Sequence, residues 1–462
     1  MITTTNPATE EIVHKYENVT NEVIIEKSKK AKQVFYDWKK DLSKRTNFLH
    51  DFAQQLLKDK EKLSKTATIE MGKVIKESRS EIEKCAWAIE YFADNGRIFA
   101  TSEIINADAR KTVIAFEPIG TIASIMPWNF PYWQALRFAA PSLMIGNTTV
   151  LKPSSVTMQC GIEIENTFNK IGIPEGVFQS LIGNSDIVKP LIDSEYIDGV
   201  TFTGSVNVGS KVAQMATAGI KKTVLELGGS DPFMVLEDAD IEKASTAAVK
   251  GRFINCGQSC IASKRFIIDK KIANEFIEKF VHKVEKLNVG DPLSDSTDIG
   301  PLVNKDGLNR ISQIVNDAIQ QGAEILVGGN QKEGKGYYYE PTVLKNITAK
   351  MSISQEEVFG PVAPIITVND EKEAVEVAND TKYGLGASLW TQDLDKAEKF
   401  AKIIQSGLVS INNVVASDPR VPFGGIKKSG FGRELSRYGM LEFANIKTIR
   451  YYDKLMHQHH VE

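Results

Sequence analysis

Cys260 lies in the run Phe253-Ile254-Asn255-Cys256-Gly257-Gln258-Ser259-Cys260-Ile261-Ala262. A thiol that follows a glycine-containing turn can be left accessible, with backbone N–H groups close by, and in that setting a thiolate becomes nucleophilic. An inert core thiol is the competing reading, and the run alone does not choose. Asn129, in Met126-Pro127-Trp128-Asn129-Phe130-Pro131, is either a turn residue or a fixed N–H donor for an oxyanion. Glu226 ends the apolar stretch Thr223-Val224-Leu225-Glu226 just before Gly228-Gly229. Buried there it would gain proton affinity and suit a general base; facing water it would be an ordinary acid. Thr201-Phe202-Thr203-Gly204-Ser205 has the small residues that let a phosphate approach free N–H groups at a helix start, although the chain has no G-x-G-x-x-G run.

Such groups need elements to hold them. At 462 residues, 42% hydrophobic and 25% charged, the chain is in the globular range and long enough for two or three sub-domains. A formal net charge of -3 gives no basic surplus for nucleic acid or an anionic membrane. No apolar run reaches the roughly 20 residues that span a bilayer, and Met1-Ile2-Thr3-Thr4-Thr5-Asn6-Pro7 does not resemble a secretory leader, so the cytoplasm is the expected location. Cys85, Cys160, Cys256 and Cys260 are too few and too irregular for a disulfide framework, and reduced thiols are expected. No zinc-type spacing accompanies them, and no metal is expected; His457, His459 and His460 read as a solvated tail.

The first hundred residues read as helices: Ala31, Val34, Phe35 and Trp38 recur at helical spacing, as do Phe48, Phe52 and Leu56, then Ile82, Cys85, Ala86 and Ile89, with Cys85 in the core. From Lys111 short β-rich runs take over. Lys111–Phe116 is expected as an edge hairpin and Thr121–Met126 as a strand, separated by Pro118-Ile119-Gly120. Strand signals at Thr148–Leu151 and Gly199–Phe202 alternate with helices ending near Lys170 and spanning about Asn207 to Ala218. A second αβ series runs from about Ala244 through Arg265–Asp269 to Ser410–Asn412. The alternation predicts an α/β fold with parallel, doubly wound sheets in two lobes that interdigitate.

Pro127-Trp-Asn-Phe-Pro131, Leu151-Lys-Pro153, Phe202-Thr-Gly-Ser205, Glu226-Leu-Gly-Gly229, Gly257-Gln-Ser-Cys260, Glu357-Val-Phe-Gly-Pro361 and Pro422-Phe-Gly-Gly425 resemble, in order and approximate spacing, the motifs of the aldehyde dehydrogenase superfamily, over Asn6 to about Tyr451. The resemblance implies two Rossmann-type lobes and a small oligomerisation β-hairpin: a cofactor-binding domain over 1–99 and 119–228, a catalytic domain over 229–428, and oligomerisation segments over 100–118 and 443–462. It further implies that a strand near Ile446–Tyr452 pairs with the hairpin, giving a homodimer or homotetramer. In roles, the resemblance makes Cys260 the nucleophile on an aldehyde carbon, Asn129 and the Cys260 N–H the oxyanion donors, and Glu226 the base that activates water against the thioester. Trp128, Lys152, Gly204, Ser205, Leu227, Glu357 and Phe359 would line the nicotinamide dinucleotide.

Many NAD-preferring members resembling this chain carry a glutamate where it has Ser155. A serine can donate to a 2′-phosphate that a carboxylate would repel, so NADP is expected to serve at least as well as NAD. Arg137 and Ser417 resemble the carboxylate-binding arginine and serine of succinate-semialdehyde dehydrogenases, the group the chain is most similar to. A structural salt bridge is the other reading of Arg137. Ile254 stands where that group often has a second arginine, and Arg420 is expected to compensate. The expected reaction is oxidation of succinate semialdehyde to succinate. The alternatives are a broader-range enzyme for glyceraldehyde, glutarate semialdehyde or aliphatic aldehydes and, in another class, a non-redox cysteine hydrolase. A CoA-acylating role is disfavoured because Glu226 is present.

Overall fold

The opening residues depart from the helical expectation. In the computed structural model, which describes residues 1–452, Ile2–Thr5 and Ile12–Tyr16 pair as antiparallel strands. Runs this short carry no usable helical or strand period, and β-branched Ile2, Thr3, Thr4 and Thr5 favour the extended chain. Helices Asn21–Trp38, Leu42–Lys58, Lys60–Met71 and Ile75–Phe99 follow. Cys85 is fully buried, in the core they share with the first lobe. The expected tail histidines and the end of the last segment, 453–462, lie outside the described residues.

The first lobe is a six-stranded sheet. Thr121–Ile125 sits centrally, flanked by Thr148–Lys152 and then Phe178–Ser180 on one side, and by Gly199–Thr203 and then Lys222–Glu226 on the other; these five are parallel. Gly430–Phe431 adds an antiparallel edge beside Lys222–Glu226. The inner strands are buried along their whole length, as a parallel sheet covered by helices on both faces requires. The connection from Thr121–Ile125 winds one way and that from Gly199–Thr203 the other. The loops leaving these two strands therefore flank a crevice at the sheet's carboxyl edge, where open α/β sheets bind ligands.

The second lobe orders Glu324–Val327, Thr342–Lys345, Val362–Val368, Ser263–Asp269, Asp231–Val235, Gly386–Trp390 and Leu408–Ile411, parallel except for the first pair. Phe233, Met234, Val235, Phe266, Ile267 and Ile268 fill its centre.

In the third sheet Lys111–Pro118 pairs with Glu103–Ile105 as a hairpin and with Ala444–Tyr451 on its other side, both antiparallel. Lys111–Pro118 is thus the central strand, which corrects the expectation of an edge; the returning C-terminal strand covers it. The open edges carry Ile104 and Ile446, 74% and 61% exposed. Among the described residues no helix is long and apolar enough to cross a membrane.

Candidate active site

The loop that carries Cys260 begins where a helix is made to stop. Asp240 caps Ile241–Phe253 by accepting from the Lys243 N–H. After Phe253 the backbone turns left-handed at Asn255 (φ 51°) and Cys256 (φ 55°) before Gly257 (φ 72°). For a non-glycine residue such as Cys256 that conformation costs about 1–2 kcal/mol. Only glycine fits at 257, since a Cβ would lie 2.2 Å from the Gly360 carbonyl oxygen. The strained turn is held from several directions. Glu77 Oε2 accepts from the Asn255 N–H at 2.9 Å, and Asn255 Nδ2 donates to the Asn129 carbonyl at 2.9 Å. The Arg252 guanidinium donates to the carbonyls of Gly257, Val358 and Gly360. Lys264 Nζ donates to the carbonyls of Ser259 (2.9 Å) and Cys260 (2.6 Å). Arg252 and Lys264 are fully buried. Sequence reasoning missed both, because a lone basic residue in an αβ series reads as solvated surface.

Cys260 then faces a cleft of about 640 Å³ whose walls include Trp128, Asn129, Gly204, Ser205, Leu227, Glu357 and Phe359. The structure thus gathers most of the expected site residues in one crevice between the lobes. Asn129 is buried, and its Nδ2 gives one hydrogen to the Gln258 carbonyl at 3.2 Å; the amide's second N–H is left over. The Cys256 thiol is closed into the second lobe's core, and burial pushes it out of any useful range. Cys260 is only partly buried. Burial pushes its thiol up to about 11, opposed first by Arg137 and then by Lys264. The resting group is therefore a thiol, and the thiolate fraction grows about tenfold per pH unit below that value. Alkylation of Cys260 by iodoacetamide, followed by mass spectrometry, is expected to accelerate about tenfold per pH unit from about pH 7 to about pH 10. A plateau below about pH 8 would mean that Arg137 and Lys264 outweigh burial.

Glu226 does not line this cleft, although Leu227 and Gly228 after it do. Its carboxylate is buried and makes no hydrogen bond. It is packed where Gly424 leaves room: a Cβ there would lie 2.6 Å from Oε1, and Gly424 has φ 154°. Burial and then the neighbouring Glu434 carboxylate push its proton affinity well above the usual carboxylate range, against the pull of Arg137.

On the crevice side, Ser205 caps the Val206–Ala218 helix, its Oγ accepting from the Val208 N–H. The N-terminal N–H groups and the positive end of the helix dipole thus point at the cleft, a setting that suits a pyrophosphate. Trp128 and Phe359 meet edge to face with ring centroids 5.7 Å apart. Glu357 Oε1 accepts from the Gly229 N–H and lies 3.7 Å from Lys264 Nζ. Lys152, at the carboxyl end of its strand, and Ser155 just beyond are outside the cleft wall. Lys152 is buried and has no ion-pair partner among the described residues; burial pulls its ammonium down to about 8. A buried cation without a counter-charge fits an anionic or hydroxyl-bearing ligand.

Arg137 lies on the Pro131–Ile145 helix, every residue of which is buried. Pro131 opens that helix, and Glu81 Oε1 accepts from the free N–H groups of Tyr132 and Trp133. The Arg137 guanidinium forms a buried ion pair with Glu434 and lies 4.7 Å from the Phe423 ring, while its Nη2 has no hydrogen-bond partner. The salt bridge weighed from sequence is therefore present, but it does not use every donor. Ser417 is buried, and its Oγ accepts from Lys84 Nζ at 2.7 Å. Arg420, expected beside them, is instead exposed and bonded to Asp418, with Nη2 at 2.6 Å from Oδ2, and it lies 5.6 Å from the Trp87 ring. A carboxylate two residues away satisfies it at the surface. Lys84 and Glu434 were missed by sequence reasoning.

Comparison with known proteins is consistent with this geometry. The model of the Aldehyde dehydrogenase family matches residues 1–449. A probable NADP(+) succinate-semialdehyde dehydrogenase of Synechocystis sp. is 42% identical over 449 residues, 97% of this chain and 99% of that one. A succinate semialdehyde dehydrogenase of Escherichia coli (strain K12), described as using NAD(P)+, is 43% identical over 416 residues, 90% of each chain. The crystal structure of a succinic semialdehyde dehydrogenase from Streptococcus pyogenes with NADP+ aligns with TM-score 0.96 at 34% identity, covering 98% of this chain and 100% of that one.

Proposed function

The chain belongs to the aldehyde dehydrogenase family, and from that premise we propose that it oxidises succinate semialdehyde to succinate with NADP+ or NAD+. The observation that carries the reading is the position of Arg137. Gln134, three residues earlier on the same helix, lines the cleft that Cys260 faces, and Arg137 on that helix face keeps an unused Nη2 donor in a buried setting. A guanidinium there favours an aldehyde with a distal carboxylate over a neutral one.

In the proposed sequence the Cys260 thiolate attacks the aldehyde carbon, and the oxygen that gains charge is met by the second N–H of Asn129 and the Cys260 backbone N–H. The nicotinamide supplies the hydride acceptor when bound. Glu226 swings to the thioester by turning about its side-chain bonds and takes a proton from the attacking water, releasing succinate and restoring the thiol. Ser205 and the helix start it caps hold the pyrophosphate, Gly204 and Leu227 shape the crevice, Trp128 and Phe359 wall the ring, and Glu357 and Lys152 bind the two riboses. Ser155 leaves a 2′-phosphate unopposed beside Lys152, so NADP+ is accepted. The division into a cofactor domain (1–99 and 119–228), a catalytic domain (229–428) and oligomerisation segments belongs to the same proposal, as does a cytoplasmic location. A homodimer or homotetramer through the third sheet is supported by its exposed edge residues Ile104 and Ile446.

The test is steady-state turnover of succinate semialdehyde, glutarate semialdehyde and butanal, each with NAD+ and NADP+. Succinate semialdehyde is expected to exceed butanal in kcat/KM by about tenfold or more, with NADP+ at least as effective as NAD+. Equal values for the two aldehydes would favour the broader-range enzyme, and a preference for NAD+ of about a hundredfold would refute the role of Ser155.

A further inference from the structure

We propose that Lys84 is the second cation that seats the distal carboxylate of the substrate, filling the place left without an arginine at Ile254. The assignment rests on the proposed reading of the substrate as a carboxylate-bearing aldehyde and adds a residue that the motifs do not contain.

Lys84 and Ser417 meet close to the helix that carries Arg137. Lys84, on the Ile75–Phe99 helix, directs its Nζ to Ser417 Oγ at 2.7 Å and lies 4.4 Å from the centre of the Trp133 ring. Trp133 is one helical turn before Arg137, so the two side chains lie on the same face of their helix. The Ser417 hydroxyl accepts from Lys84, which frees its own hydrogen to donate. Arg137 Nη2, as noted, has no partner. An ammonium and a hydroxyl therefore meet beside the helix that carries Arg137, and the spare hydrogens of all three side chains have no acceptor assigned.

The charge count points the same way. Among the described residues Lys84 has no ion-pair partner; of the acids near it, Asp418 is bonded to Arg420 and Glu81 is paired with Lys73. Arg137 and Lys84 are close enough to repel, and burial together with Arg137 pulls the Lys84 ammonium down to about 8. Arg137 has Glu434 as counter-charge and Lys84 has none, so a partly desolvated ammonium beside that pair is stabilised when an anion joins it. A single carboxylate, with two oxygens and about four acceptor sites, matches the three donors. A role confined to fixing the Ser417 loop would need only the hydrogen bond, not the charge.

The experiment compares wild type with Lys84→Gln, which retains a donor to Ser417 but no charge, Lys84→Met, which keeps neither, and Lys84→Arg, which keeps both. Two quantities are measured: the ratio of kcat/KM for succinate semialdehyde to that for butanal, and the inhibition constant of succinate. Loss of the charge is expected to lower the ratio about tenfold or more, mainly through KM, and to raise the succinate constant by a similar factor, with Lys84→Arg restoring most of both. If Lys84→Gln keeps the wild-type ratio and succinate constant, the proposal is overturned even if Lys84→Met fails to fold. If wild type itself shows no preference for succinate semialdehyde, the proposed substrate is wrong before Lys84 is in question.

Discussion

Replacing Cys260 with alanine is expected to reduce aldehyde oxidation by about 10⁴-fold or more while leaving dinucleotide binding in place. Removing a covalent nucleophile takes away the step on which the others depend, and losses of that size follow when the remaining groups cannot substitute for it. The substitution leaves the crevice intact: Trp128, Ser205 and Phe359 are set by other loops, and Lys264 holds the Cys260 loop through the carbonyls of Ser259 and Cys260, which alanine keeps. Quenching of tryptophan fluorescence by NADPH should therefore be retained. Cys256→Ala is the matched control, because the Cys256 thiol is enclosed in the second lobe's core and its loss removes no group from the cleft. A Cys260→Ala enzyme that kept a tenth of the wild-type rate would remove the sulfur from the chemistry.

What could be read from the sequence was whatever a short local run encodes. The strands Thr121–Ile125 and Gly199–Thr203 end close to proline or glycine, with Trp128, Asn129 and Ser205 in the turns after them, while Cys260 stands in the loop after the Ile241–Phe253 helix, and motif order located all four together. Interactions between distant segments left no such mark. Arg252 and Lys264 are buried by carbonyl partners that no pattern announces. Lys84 follows Glu83 on a helix rich in charge, which reads as a solvated face; its contacts with Trp133 and with Ser417, 333 positions away, show otherwise. Arg420 differs in the opposite sense: Asp418, two residues earlier, holds the guanidinium at the surface, away from Arg137 and Ser417. The central position of Lys111–Pro118 depends likewise on a strand returning from Ala444–Tyr451.

Glu226→Gln is expected to separate the two halves of the reaction. Steady-state turnover should fall about 10²–10⁴-fold, the usual contribution of a general base, whereas the first turnover should survive as a burst of one reduced nicotinamide per site. The reason lies in where the carboxylate is held. It makes no hydrogen bond and is raised by burial and by Glu434, so it carries the proton affinity needed to deprotonate water at a thioester and is not positioned in the wall beside the resting thiol. A raised value also fixes the sign of the pH dependence. The base works only when deprotonated, so thioester hydrolysis should be lost as pH falls through that raised value and recovered above it, and glutamine should flatten this limb. Mass spectrometry of the quenched variant should find one acyl group on Cys260. If the burst vanishes with the steady state and no acyl adduct forms, Glu226 acts before the thioester, on the Cys260 thiol that burial holds at about 11, and the water-activating role passes to another group.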